Sequence, residues 1–102
     1  MDARYVVISR FRVANAMERE VAEAFRARPH LVDDAPGFVR MEVLSPENDP
    51  AEFWLVTHWT DEASYRAWHR SHEYRDSHAG IPKGLKLDAK WTEVRGFNTV
   101  AR

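Results

Sequence analysis

The run Phe53-Trp54-Leu55-Val56-Thr57-His58-Trp59 reads as a strand that is bulky on both sides. Phe53, Leu55, Thr57 and Trp59 point one way, and Trp54, Val56 and His58 the other. A strand with one wet face alternates apolar with polar residues, so this one has to be covered on both faces. A layer of helices covers one face of a sheet, and the second face then needs another partner.

Size limits what that partner is. A chain of 102 residues, 44% of them hydrophobic, supports one core, so residues 1–102 are expected to form a single domain. The second cover is therefore expected from another copy of the chain, which makes the protein a homodimer. No stretch approaches the roughly 20 apolar residues of a membrane span. The start Met1-Asp2-Ala3-Arg4-Tyr5 carries no apolar leader. A cytoplasmic protein with no membrane partner is expected. The absence of cysteine excludes disulfides, thiolate metal sites and thioether attachment of haem, leaving histidine, carboxylate or tyrosine for any metal. A net charge of -1 lacks the basic footprint of a nucleic-acid binder.

Other elements follow from periodicity and punctuation. Tyr5 to Val13 alternates as a strand, with Tyr5, Val7, Ser9, Phe11 and Val13 on one face and Val6, Ile8, Arg10 and Arg12 on the other. Asn15 followed by Glu18 resembles a capping box, and Met17, Val21, Ala24, Phe25 and Arg28 recur at helical spacing up to Pro29. Ala35-Pro36-Gly37 reads as a turn, Phe38 to Leu44 as a strand, Ser45 to Pro50 as a turn, and Glu52 to Trp59 as the third strand. Thr60, Asp61 and Glu62 cap and charge the start of a second helix whose stripe is Tyr65, Trp68, His69 and His72. Trp91 to Phe97 supplies a fourth strand. The order β-α-β-β-α-β is that of a ferredoxin-like α+β fold with an antiparallel sheet.

Few residues break these patterns, and those are the candidates for chemistry. Ser9 is the polar exception on the apolar face of the first strand, facing the helices. His78 precedes Gly80 in a loop, and neutral imidazole is a suitable iron ligand in a chain without cysteine. Trp68 and His78 would point about 80° apart on an unbroken helix, so their convergence needs a bend, for which Ser71 is placed. Plainer readings stand beside these: His78 as a cap on helix carbonyls, Trp68 as core packing, Ser9 as a hydroxyl bonded to nearby backbone. His69 and His72 share one face of a continuous helix and suggest zinc, but without a fixed third ligand. Arg10 and Arg12 are expected to pair with carboxylates such as Glu42.

The passages Ala35-Pro36-Gly37-Phe38, Phe53 to Trp59, Ala63 to Trp68 and His78 carry a resemblance over nearly the whole chain. It is to the antibiotic biosynthesis monooxygenase superfamily of dimeric α+β barrels, and within it to the haem-degrading monooxygenases of the IsdG type. The resemblance implies that His78 is the axial ligand of the haem iron and that Trp68 crowds and ruffles the macrocycle. An oxygen-side asparagine of the family falls on Ser9, a departure, because a hydroxyl is shorter and has one donor where an amide has two. Phe25 joins Trp68 and His78 as a residue expected to contact the cofactor. Arg28 and the Lys83 to Lys86 loop are the candidates for holding the propionates.

What this implies is an oxidoreductase that opens haem b to a linear tetrapyrrole and releases iron. Haem would be both cofactor and substrate, with O2 and electrons from an external donor, a separate reductase. Two alternatives remain open: a cofactor-independent oxygenase of quinols or phenols in the same superfamily, and a non-catalytic dimeric haem-binding module.

Overall fold

In a computed structural model of the chain, residues 3–77 and 80–102 are described. The elements are β1 (Tyr5–Arg12), α1 (Glu18–Arg26), β2 (Phe38–Leu44), β3 (Glu52–Trp59), α2 (Glu62–His69), α3 (His72–Ser77) and β4 (Glu93–Asn98). The strands form one sheet in the order β2-β3-β1-β4, with antiparallel neighbours throughout. This is the ferredoxin-like α+β fold that the element order implies. The bounds of β2 and β3 are those read from the sequence.

Four local expectations are corrected. β1 stops at Arg12, and Val13 forms a separate bridge to Leu87. Met17 begins α1 with no side-chain cap, so Asn15 and Glu18 make no capping box. The reason lies in Ala16, whose φ of 61° turns the chain so that Asn15 faces the loop after α3. There its Nδ2 donates to the Gly84 carbonyl at 2.7 Å, and its Oδ1 accepts from the Lys86 amide at 3.3 Å. β4 begins at Glu93 because Trp91 closes a 3-10 turn, Ala89–Trp91, opened by Asp88. The arginines of β1 find other carboxylates than Glu42: Arg10 bonds Glu93 at 3.3 Å and Arg12 bonds Asp49 at 2.9 Å. Glu42 instead lies 3.7 Å from Arg40 and 3.5 Å from the Nε2 of His58.

The core lies between the sheet and the helices, in two clusters. One gathers Tyr5, Val7, Val32 and Trp59, with Phe38, Met41, Tyr65 and Trp68 packed on it. The other gathers Val13, Val21 and Phe53, with Phe11, Phe25 and Leu85. Val32 reaches the first cluster from a 3-10 turn, Leu31–Asp34, that periodicity does not announce. The opposite face of the sheet is uncovered. Ile8, Arg10, Trp54, Glu93, Arg95 and Phe97 line a depression there of about 130 Å³. Arg10 crosses it with its guanidinium 5.8 Å from the Trp54 ring and 5.7 Å from Trp91.

Gly37 seats the second helix on this framework. Its φ of 83° is left-handed, and its carbonyl accepts from the Thr60 amide at 2.8 Å. A Cβ at this position would lie 2.2 Å from the Ser64 Oγ, inside contact distance. Gly37→Ala is expected to destabilise the fold by about 2 kcal/mol or more, through backbone strain and this overlap together. The urea midpoint compared with that of the unmutated chain is the measurement.

Candidate functional site

One wall of the site is built by α2. Asp61 opens the helix, its Oδ1 accepting from the Ser64 amide at 2.8 Å, and this bond holds the carboxyl below the usual carboxylate range. The Arg66 guanidinium binds Glu62 one turn back at 2.8 Å on the outer side. Tyr65 and Trp68 are thereby turned toward the sheet. Burial raises the Tyr65 phenol above its ordinary value, with nearby Tyr74 and Tyr5 adding to the effect.

The helix then breaks where the sequence suggests. Ser71 donates from Oγ to the Trp68 carbonyl at 2.6 Å and accepts the Tyr74 amide at 3.1 Å, so one side chain closes α2 and opens α3. Tyr74 is brought edge-on to Trp68 at 6.1 Å and against His69 at 4.5 Å. Tyr74 escaped sequence reading because no helical period connects it to Trp68 across the break.

The same break parts the two histidines of the zinc reading, whose third-ligand candidates, His78 and the Glu73 side chain, lie outside the described residues. His69 ends α2 and stacks on Tyr74, while His72 begins α3 and accepts at Nδ1 from Arg75 at 3.2 Å. Among the described residues no group of three histidines or carboxylates is placed to hold a metal. His78, the expected iron ligand, lies outside the described residues.

Between the two core clusters lies the middle of β1 and β3. Ser9 and Leu55 face each other across β1 and β3, belong to neither cluster, and are half-buried. The Ser9 hydroxyl has no hydrogen-bond partner among the described residues, so the plain reading of it as a backbone-bonding serine does not hold. Trp68, half-buried, stands on one side of Ser9. Phe25 stands on the other, 6.3 Å from Phe11 and 6.1 Å from Phe53 by ring centres. Ser9 thus lies on the helix-facing side of the sheet, between an aromatic group that holds Trp68 and one that holds Phe25. Of the residues suggested for propionates, Arg28 is engaged with Asp33 at 3.1 Å. The depression on the uncovered sheet face is a separate feature, on the other side of the sheet from Ser9.

Residues 4–80 match the family model described as antibiotic biosynthesis monooxygenase, and the chain belongs to that family. A mycobilin-producing heme oxygenase of Mycobacterium tuberculosis is 33% identical over 49 residues, which make up 48% of this chain and 47% of the relative. The chain thus spans about half the length of the curated relatives it matches. Among solved structures, the heme-degrader MhuD of Mycobacterium tuberculosis, with two hemes in its active site, matches with a TM-score of 0.76 at 24% identity. That match covers 96% of this chain and 97% of MhuD. SnoaB, a cofactor-independent oxygenase of Streptomyces nogalater, matches with a TM-score of 0.77 at 19% identity, covering 99% and 97%. The fold is shared to the same degree by both, so the shape of the backbone does not select between their chemistries. Among the described residues no helix is long and apolar enough to cross a membrane.

Ser71→Ala removes the side chain that ends one helix and starts the next. A loss of about 1 kcal/mol is expected from the cap, together with a changed tryptophan emission as Tyr74 leaves Trp68. Urea unfolding followed by fluorescence measures both.

Proposed function

We propose that this chain is a homodimeric monooxygenase that opens haem b to a linear tetrapyrrole and releases iron, haem being bound as substrate. The observation that carries the reading is Ser9, a half-buried hydroxyl without a partner among the described residues, which we read as the floor of a cleft between the Trp68 and Phe25 sides of the core. A flat, largely apolar ring with polar chemistry at its centre suits such a space. The 33% identity to a mycobilin-producing heme oxygenase supports the same substrate.

In this reading His78 supplies the imidazole that holds the iron. Trp68 presses on one face of the ring and orients it, Phe25 closes the opposite wall, and the two exclude water from the reacting edge. Ser9 donates its one hydroxyl proton on the oxygen side. O2 is the co-substrate, and the electrons come from a separate reductase. Residues 1–102 act as one domain, since β4 lies beyond the family-matched residues yet pairs with β1 along its length.

The second copy is assigned to the uncovered sheet face. Leu44 and Phe97 are exposed there beside Trp54, and a soluble chain gains by removing such a patch from water. Sedimentation is expected to give a dimer, and Trp54→Glu a folded monomer, because a carboxylate in the centre of that contact would lose its hydration.

A quinol or phenol oxygenase is the competing reading, favoured by the likeness in fold to SnoaB. A substrate of that kind carries its own electrons to O2 and needs no iron ligand. Haemin titration separates the two. The expected result is a saturable Soret shift, weakened at least ~10-fold in His78→Ala. A shift that survives that substitution overturns the ligand assignment, and no shift at all overturns haem as substrate. With reductant and O2 the complex is expected to lose its haem absorbance and form a bilin, faster in Ser9→Asn. Persistent haem absorbance overturns the catalytic reading and leaves a haem-binding module.

A further inference from the structure

We propose that the aromatic side chains behind Trp68 form a one-electron relay. It carries an oxidising equivalent from the cleft through Tyr74 and Tyr65 to Tyr5 beside β4, with the His69 ring, which is not itself oxidised, bridging the gap between Tyr74 and Tyr65. The proposal rests on the reading of the cleft as a place of oxygen chemistry, because only there does a strong one-electron oxidant derived from O2 or peroxide arise beside Trp68.

Composition is the first observation. The three tyrosines of the chain, Tyr5, Tyr65 and Tyr74, all stand on the Trp68 side of the cleft, in one connected set of rings. The other side is walled by Phe11, Phe25 and Phe53, whose rings are far harder to oxidise. Phe38 also lies on the tyrosine side, edge-on to Trp59, so the contrast is that tyrosine occurs on one side alone. Core packing does not require this, since phenylalanine fills the same volume as tyrosine without a hydroxyl to satisfy.

Continuity is the second. Ring centres are 6.1 Å apart from Trp68 to Tyr74, 4.5 Å from Tyr74 to His69, 5.8 Å from His69 to Tyr65 and 6.2 Å from Tyr65 to Tyr5. Trp59, fully buried, branches from Tyr65 at 5.7 Å. Every step is between neighbouring rings or across the one ring of His69.

The third observation is the exit. A Cβ on Gly96 of β4 would lie 2.0 Å from the Tyr5 hydroxyl, so the glycine leaves the phenol room at an exposed edge strand. The relay therefore begins at half-buried Trp68 and ends at Tyr5, a buried residue whose hydroxyl lies against Gly96 of the exposed strand β4.

Each step balances as one electron with one proton. The oxidant removes an electron from the Trp68 indole, whose nitrogen releases its proton. The resulting neutral radical takes an electron from a tyrosine, the indole nitrogen is reprotonated, and the phenol gives up its proton to solvent. The direction follows from the tyrosyl radical being the weaker oxidant of the two at neutral pH.

The test needs no haem. Azidyl radicals generated by pulse radiolysis in the ligand-free protein oxidise exposed tryptophan and become azide. Decay of the tryptophanyl absorption is expected to match growth of the tyrosyl absorption, at a rate independent of protein concentration. Trp68→Phe is expected to abolish that growth, and Tyr74→Phe to abolish it while the initial tryptophanyl signal remains. Growth that persists unchanged in both variants, or depends on protein concentration, overturns the relay. Failure of haemin to bind would overturn the substrate reading and leave this result standing, so the two fail separately.

Discussion

Trp59 is the joint on which this molecule turns. Its side chain is fully buried at the end of β3, edge-on to Phe38 of β2 at 5.5 Å and to Tyr65 of α2 at 5.7 Å. Removing an indole of that size from water is worth about 5 kcal/mol before entropy is counted. The only polar atom of the ring, Nε1, is satisfied by the Thr57 Oγ1 at 2.9 Å, and Thr57 in turn reaches the Val7 carbonyl of β1 at 3.4 Å. One residue thereby ties three strands to the second helix. Where α2 lies decides where Trp68 stands, and so where the proposed cleft has its wall.

The core is divided in two. Phe11, Phe25 and Phe53 gather under α1, and Tyr5, Trp59, Tyr65 and Trp68 with Phe38 under α2, while Ser9 and Leu55 belong to neither group. A larger apolar residue at Ser9 would bring the two clusters together. Ser71 has a comparable effect at the other end of the wall: by ending α2 and restarting the helix it turns Tyr74 onto Trp68 and separates His69 from His72. The family to which the chain belongs is that of the antibiotic biosynthesis monooxygenases.

Much of this was legible beforehand, for local reasons. β2 and β3 were readable to the residue because alternation and turn residues bracket them, and the helix break was readable because two aromatic and imidazole groups could not otherwise converge. The capping box at Asn15 misled, since a left-handed Ala16 redirects the side chain to the Gly84 to Lys86 loop. The partners of Arg10 and Arg12 were readable in kind but not in identity, because Glu93 and Asp49 are distant in sequence and meet them only through strand pairing.

The sequence by itself determined the order of the elements, the two faces of each strand, the lack of thiol chemistry and the polar exception at Ser9, since all of these follow from side-chain type and short-range period. Tertiary structure alone decided that the Ser9 hydroxyl has no partner among the described residues, that Trp68 and Phe25 fall in separate clusters with Ser9 in neither, and that the tyrosines connect. Those facts depend on how two clusters pack, which is set by the shapes of side chains from three strands and two helices at once.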